Sequence, residues 1–392
     1  MLLLLNFKSS IQRELDSFFK ELNNEDFNIR AVTKSAFTKA RAKLNPWAFK
    51  RLVEIAVKVF YSKAFYHTWH GKRLLGIDGA RLQLPNHPSV VKEFGQQQMG
   101  PKADSPCSLA TGSILYDCLN LVAIDSQLAP YQTSERDLLL QHLDFVKEGD
   151  LLLLDRGYPC FWLLFLLSAK KIDFCVRLKA DWWLKVNAFL KSPHADGPVT
   201  FTLPKKDWDR LKDYPEIREK ELRCRLIKVE LPNGEKEILC TSLTDQESHP
   251  AHEFKALYHH RWSEEEGFKL LKSRIELERF TGKTALAVRQ DFHAKILLLT
   301  LTAVYAHPIE ERVRQEFKAD EMREHSQKIN RTNAVSNMQK LSVPLFLKNM
   351  ANQALIFFDK IVYNTRELIR LNRKNPRNHK IKKAYSMNYK PL

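Results

Sequence analysis

The chain has 392 residues, with 63 Lys and Arg against 46 Asp and Glu and a formal net charge of +17. Its 44% apolar, 10% aromatic and 28% charged residues exclude general disorder and allow two or three domains. The longest apolar runs, such as 296–306, fall short of the ~20 residues a bilayer span needs, and the start Met1-Leu2-Leu3-Leu4-Leu5 lacks the basic lead-in of a signal peptide.

In chain order, residues 1–72 read as a helical domain. Ser9 or Ser10 caps a helix through Leu22, Thr33 or Ser35 caps a second to Leu44, and Pro46 opens a third to about Tyr66. Between Ile29 and Arg73 eleven Lys and Arg face one acid, Glu54, a net of +10. The short second helix presents Lys39, Arg41 and Lys43, which are assigned to DNA phosphates.

Residues 73–178 change texture. Leu74–Asp78 and Ala80–Leu84 read as a hairpin around Gly79, and Leu109–Tyr116 and Leu119–Asp125 as two further strands. Thr133 or Ser134 caps a helix to about Lys147, and the all-apolar Leu151-Leu152-Leu153-Leu154 reads as a strand covered on both faces. A helix over Tyr158–Lys170 and a strand over Ile172–Leu178 complete this part.

Residues 179–248 are strand-rich, with Asn233-Gly234 turning a hairpin between Glu221–Leu231 and Glu237–Leu243. Helical periodicity resumes over 249–310, with one helix from Ala251 to about Ile275 and an apolar one over Thr284–Ala306. Residues 311–392 form a helical, basic C-terminal region whose last 27 residues carry a net of +8. Two basic ends around a nearly neutral middle favour a polyanion partner. The six cysteines, Cys107, Cys118, Cys160, Cys175, Cys224 and Cys240, lack zinc-knuckle spacing and fit idle thiols in a reducing cytoplasm. No glycine-rich phosphate loop stands in the chain, so no nucleotide cofactor is expected.

Chemistry concentrates at Asp78, Asp155 and the segment Tyr258-His259-His260-Arg261-Trp262-Ser263-Glu264-Glu265 with Lys272 beyond it. Both aspartates end buried-looking strands, where a carboxylate is costly unless it binds something. At about 100° per residue, Tyr258, Arg261, Glu265 and Lys272 share one helical stripe. An exposed helix laced with salt bridges carries the same residue types; the two strand-end aspartates set this one apart. Hard carboxylates suit Mg²⁺ or Mn²⁺, and two such ions can clamp an in-line phosphoryl transfer. Asp104, Asp125 and Glu135 stand as supporting acids, with Asp125 the strongest rival because it too ends a strand.

The order of elements, Gly76-Ile77-Asp78-Gly79, Leu154-Asp155-Arg156-Gly157-Tyr158 and the spacing Tyr-x2-Arg-x3-Glu-x6-Lys at Tyr258, Arg261, Glu265 and Lys272 resemble the DDE transposases of bacterial insertion sequences, more narrowly the insertion-sequence-four family. The resemblance implies an α/β, RNase H-like mixed sheet with flanking helices, interrupted by a β-rich insertion and preceded by the helical domain. It implies that Asp78, Asp155 and Glu265 bind two Mg²⁺ or Mn²⁺ ions, and that Tyr258, Arg261 and Lys272 contact DNA. The expected function is 3′-end cleavage at terminal inverted repeats and strand transfer into target DNA, by a homodimer in the bacterial cytoplasm, at the nucleoid, without a membrane. Relatives place a base-stacking tryptophan in the insertion; here Trp182, Trp183 and Trp208 are available, none in its last strand. A non-cutting DNA-binding relative and another RNase H-like nuclease are the alternative readings.

Overall fold

A computed structural model describes residues 9–98, 106–179, 183–231 and 234–370. Three helices come first. Ser10 accepts from the Arg13 amide to start α1 (Ile11–Asn23), Thr33 caps α2 (Lys34–Ala42), and α3 (Trp47–Lys63) follows Pro46. Strand β1 (Leu74–Gln83) leads to the short α4 (Pro88–Phe94), then to β2 (Leu109–Asp117) and β3 (Val122–Pro130). After α5 (Glu135–His142) come β4 (Leu151–Leu154), α6 (Phe161–Ala169) and β5 (Asp173–Leu178). The expected insertion supplies α7 (Leu184–Lys191), β6 (Asp196–Thr202), β7 (Glu221–Glu230) and β8 (Lys236–Thr241). The chain then runs through α8 (Phe254–His259), α9 (Trp262–Ser273), α10 (Ala285–Glu316), α11 (Arg331–Leu347) and α12 (Ala351–Asn364).

These eight strands form one mixed sheet in the order β3-β2-β1-β4-β5-β8-β7-β6, and residues 327–328 pair with 367–368 in a separate two-stranded sheet. Strands β1, β2 and β3 pair antiparallel, whereas β1, β4 and β5 are parallel. That 3-2-1-4-5 half is the RNase H-like arrangement. The insertion does not stand apart, because β8 pairs with β5 and so continues the core sheet. Leu151 to Leu154 are fully buried in its middle, as a four-residue apolar run requires.

Two expectations fail along the first strand pair and at the helix. Residues 74–83 are one continuous strand rather than a hairpin, so Gly79 lies in mid-strand. The helix expected from Ala251 to Ile275 is broken at His260 and Arg261, between α8 and α9.

The apolar face of the sheet is covered by α10, a 32-residue helix capped by Thr284. By length and composition this one helix could cross a bilayer, but 78% of its apolar window is buried in the protein. It packs against α3 and β3, and Thr300 Oγ1 donates to Ala123 O at 2.9 Å. Helix α3 contributes Phe49, Val53, Val57 and Phe60 to the main core and is docked on the sheet layer, whereas α1 packs against α2 and α11.

Arg41 corrects the expected DNA-binding face. Its side chain is buried, with Nε donating to Gln290 Oε1 at 2.6 Å, Nη1 to Thr281 Oγ1 at 2.5 Å, and Nη2 to Ala287 O and Asp291 Oδ1 at 2.9 and 2.8 Å. Lys39 and Lys43 are exposed. Arg41 lies about 200° from Lys39 around a helix, so it points inward, onto α10, while they point outward. Arg41→Ala strands the Asp291 carboxylate in the interior. It should cost about 3–5 kcal/mol, seen as a lower urea-unfolding midpoint, and should leave the salt dependence of DNA binding unaltered.

Candidate active site

The parallel register pairs Leu74 with Leu151, Leu75 with Leu152 and Gly76 with Leu153. Continued two residues, it sets Asp78 beside Asp155, on strands that lie roughly 4.8 Å apart. Asp78 Oδ1 accepts from the Gly79 amide at 2.8 Å, and Asp155 Oδ1 from the Gly157 amide at 2.5 Å. These short local bonds fix both carboxylates at the C-terminal ends of buried strand segments.

Helices α8 and α9 close the site from the other side. Tyr258 is buried and its hydroxyl donates to Leu154 O at 3.2 Å, just before Asp155. It is therefore turned toward the strand end, not outward to a phosphate as expected. Arg261 is also buried, and its Nη2 bonds Glu265 Oε1 at 3.0 Å. Lys272 is exposed two turns further on.

The acids feel one another. Burial raises the Asp78 carboxyl above its ordinary value, with Asp155 and Glu265 pushing the same way against the Gly79 amide and the Arg261 charge. Burial, then Asp78 and Asp155, likewise raise Glu135, opposed by Arg81 and Arg136. Three all-oxygen carboxylate donors of this kind match a hard divalent cation. Among the described residues, however, no three acid, His or Cys groups converge tightly enough to hold one ion together. Arg261 is the counter-charge that faces both Asp78 and Glu265.

The chain's own scaffold holds the Asp155 loop. Arg136, on the first turn of α5, donates to Tyr158 O at 2.9 Å and Gly157 O at 3.0 Å. Nothing in the sequence pattern singles out Arg136. The helix expected from Tyr158 starts only at Phe161, which leaves those carbonyls available to it.

Asp125 is not part of the site. It is buried, and it accepts from Gln127 Nε2 while pairing with His142 Nδ1, both at 2.7 Å, with Lys50 at 3.4 Å. His142 Nε2 lies 3.0 Å from Ser113 Oγ. This Ser–His–Asp series is sealed from solvent, with Ser113 and His142 fully buried, so it is a structural brace without access to substrate. Asp104 lies outside the described residues. Of the insertion's tryptophans, Trp183 stacks on Phe161 at 4.2 Å, Trp208 is half-exposed beneath Lys220, and Trp182 lies outside the described residues.

Residues 69–301 match the family profile described as the transposase DDE domain. The chain belongs to the DDE transposase family. Over 281 residues it is 26% identical to the transposase InsG for insertion sequence element IS4 of Escherichia coli (strain K12), an overlap of 69% of this chain and 60% of that one. It thus matches well under two thirds of that relative's length. Among solved structures, a piggyBac transposase synaptic complex with hairpin DNA shares 9% identity at a TM-score of 0.41, covering 74% of this chain and 57% of the other. That score is too low to carry any argument about this DDE transposase. Family membership implies dependence on a divalent metal in general.

Burial would raise Asp125, but the His142 hydrogen bond and charge, then Lys50, outweigh it and hold the carboxyl below its ordinary value. Its stabilising effect is therefore present above the ordinary carboxylate range and is lost as pH falls through the depressed folded value. Asp125→Asn should cost about 3 kcal/mol at neutral pH. The gap between variant and wild-type unfolding midpoints should close as the buffer is taken to acid pH.

Proposed function

We propose that this chain is a DNA transposase that cuts at the ends of an insertion sequence and joins the freed 3′ ends to target DNA. The observation that carries this reading is the register that sets Asp78 beside Asp155, with Arg261, paired to Glu265, near enough for both charges to bear on Asp78. Asp78, Asp155 and Glu265 are the proposed ligands of two Mg²⁺ or Mn²⁺ ions. When bound, such ions activate the attacking oxygen and neutralise charge on the phosphoryl group.

The remaining roles fall to protein groups. Tyr258 fixes the Leu154 carbonyl and with it the position of Asp155, and Arg136 holds the loop that follows. Arg261 orients Glu265 and balances the acids, as a buried guanidinium can with two hydrogen-bonding edges. Lys272, exposed beyond α9's catalytic turn, grips a phosphate near the scissile one. Lys39 and Lys43 supply outer contacts to double-stranded DNA from α2. Two copies acting on paired element ends, in the cytoplasm at the nucleoid, complete the reading.

Asp78→Asn, Asp155→Asn and Glu265→Gln should each abolish Mg²⁺- or Mn²⁺-dependent nicking of a plasmid that carries the element's ends, while filter binding to that plasmid persists. Nicking by any of the three at the wild-type rate contradicts the assignment. Glu266→Gln, on the exposed side of α9, should keep most turnover.

Lys272→Ala should reduce strand transfer at least tenfold with the thermal unfolding midpoint unchanged, since an exposed lysine contributes about 0–1 kcal/mol to folding. Loss of stability in step with activity would instead make Lys272 a helix salt-bridge residue.

A further inference from the structure

Behind α9, on the side turned away from the acids, lies an open cavity of about 410 Å³. Ser263, Gly267, Leu270 and Arg274, three and four residues apart, form one wall of it. That stripe lies roughly 150° around the helix from Glu265. The other walls include Tyr116, near the end of β2, and the first turn of α11, Arg331 to Asn333. Four cations, Lys269, Arg274, Lys328 and Arg331, line the cavity against two acids, Glu266 and Glu367.

Two independent features point to an anion. Tyr116 is only 4% exposed and lines the cavity, with its hydroxyl against Gly267 of the α9 wall. Among the described residues that hydroxyl has no hydrogen-bond partner. A buried hydroxyl is costly unless something bonds it. Burial holds the phenol well above its ordinary value, against the Arg331 charge, so it stays a donor at neutral pH. The second feature is α11. Its cap, Asn330, accepts from the Asn333 amide, which leaves the Arg331 and Thr332 amides at the start of a 17-residue helix without an intrahelical acceptor. The positive end of that helix therefore opens on the cavity. Glu367 is held by Lys328 at 3.8 Å and by Asn330 Nδ2 at 3.3 Å, and Arg331 pairs with Glu310. Lys269 and Arg274 are exposed and have no ion-pair partner among the described residues.

We propose that this cavity binds a phosphate group, which accepts from the Tyr116 hydroxyl and the first α11 amides and pairs with Arg274 and Lys269. Only the source of the phosphate rests on the transposase reading above, which makes it a DNA backbone phosphate. It is not the scissile one, because the width of α9, about 10 Å, separates the cavity from Glu265.

The test uses the full chain, first with inorganic phosphate and then with a duplex carrying the element's ends. Phosphate should raise the thermal unfolding midpoint saturably, beyond sodium chloride of matched ionic strength. Tyr116→Phe removes only the unpartnered hydroxyl. It should leave the phosphate-free midpoint unchanged and need about tenfold more phosphate for half-maximal stabilisation. It should also weaken duplex binding without altering the slope of log affinity against log salt, whereas Arg274→Ala should flatten that slope by about one.

Variants weakened toward phosphate but not toward the duplex support the site and overturn DNA as its source. No stabilisation beyond matched chloride, with both variants binding the duplex as wild type does, overturns the site. A lower phosphate-free midpoint for Tyr116→Phe means that the hydroxyl is bonded within the fold, and equally overturns it. These failures leave metal-dependent nicking, and so the transposase reading, untouched. Nicking in excess chelator overturns that reading and leaves the phosphate titration as expected.

Discussion

The parallel pairing of β1 with β4 is the constraint on which the rest of the molecule depends. The four leucines of this strand are interchangeable between its two buried faces, but a one-residue slip would draw Asp150 or Asp155 into the apolar layer, and that fixes the register. Leu151–Leu154 are that strand, and all four side chains are fully buried. Where their apolar run stops, the next residue is Asp155, beside Asp78. The position of the acids is therefore inherited from hydrophobic packing, not from any attraction between them. Their mutual repulsion acts against that packing, and the Arg261 charge opposes it while Arg136 holds the loop after Asp155.

Buried polar braces tie the covering layers to this centre. Arg41 locks α2 to α10, Asp125 with His142 and Lys50 joins β3 to α5 and α3, and the Tyr61 hydroxyl donates to Asp117 at the end of β2. Each brace is nearly dry, so each is specific in geometry and intolerant of losing one partner. Arg225 does the same for the sheet's far half. Its Nε and Nη2 pair with the two oxygens of Asp196, and its Nη1 donates to His249 O just ahead of α8. The insertion is thus linked to the segment that delivers Tyr258 and Glu265.

Much of this is legible in the residues themselves. The caps, each narrowed to two candidates that include Ser10, Thr33 and Ser134, and the doubly covered run at 151–154 are read directly from residue type and spacing. Other features fail for physical reasons. Glycine marks both turns and close approaches, and at Gly79 only a side chain 56 positions away decides between them. A count of positive charge is blind to burial, so Arg41 joins its neighbours in the tally though helical phase turns it inward. Helical periodicity also runs smoothly through His260 and Arg261, whose backbone angles stay helical while the regular bonding lapses.

The order of these acids along the chain has a consequence for a protein made from its N-terminus on the ribosome. Asp78 and Asp155 are synthesised early, and both can settle once β4 has paired with β1. Glu265 lies on α9, beyond the three insertion strands that must first extend the sheet from β5 to β6. Contacts this distant in sequence form late and slowly. A nascent or truncated chain that ends before Arg261 therefore carries Asp78 and Asp155 with neither Arg261 nor Glu265. Under the proposed assignment such a chain lacks one of the three metal ligands, so the site is completed only once translation has passed α9.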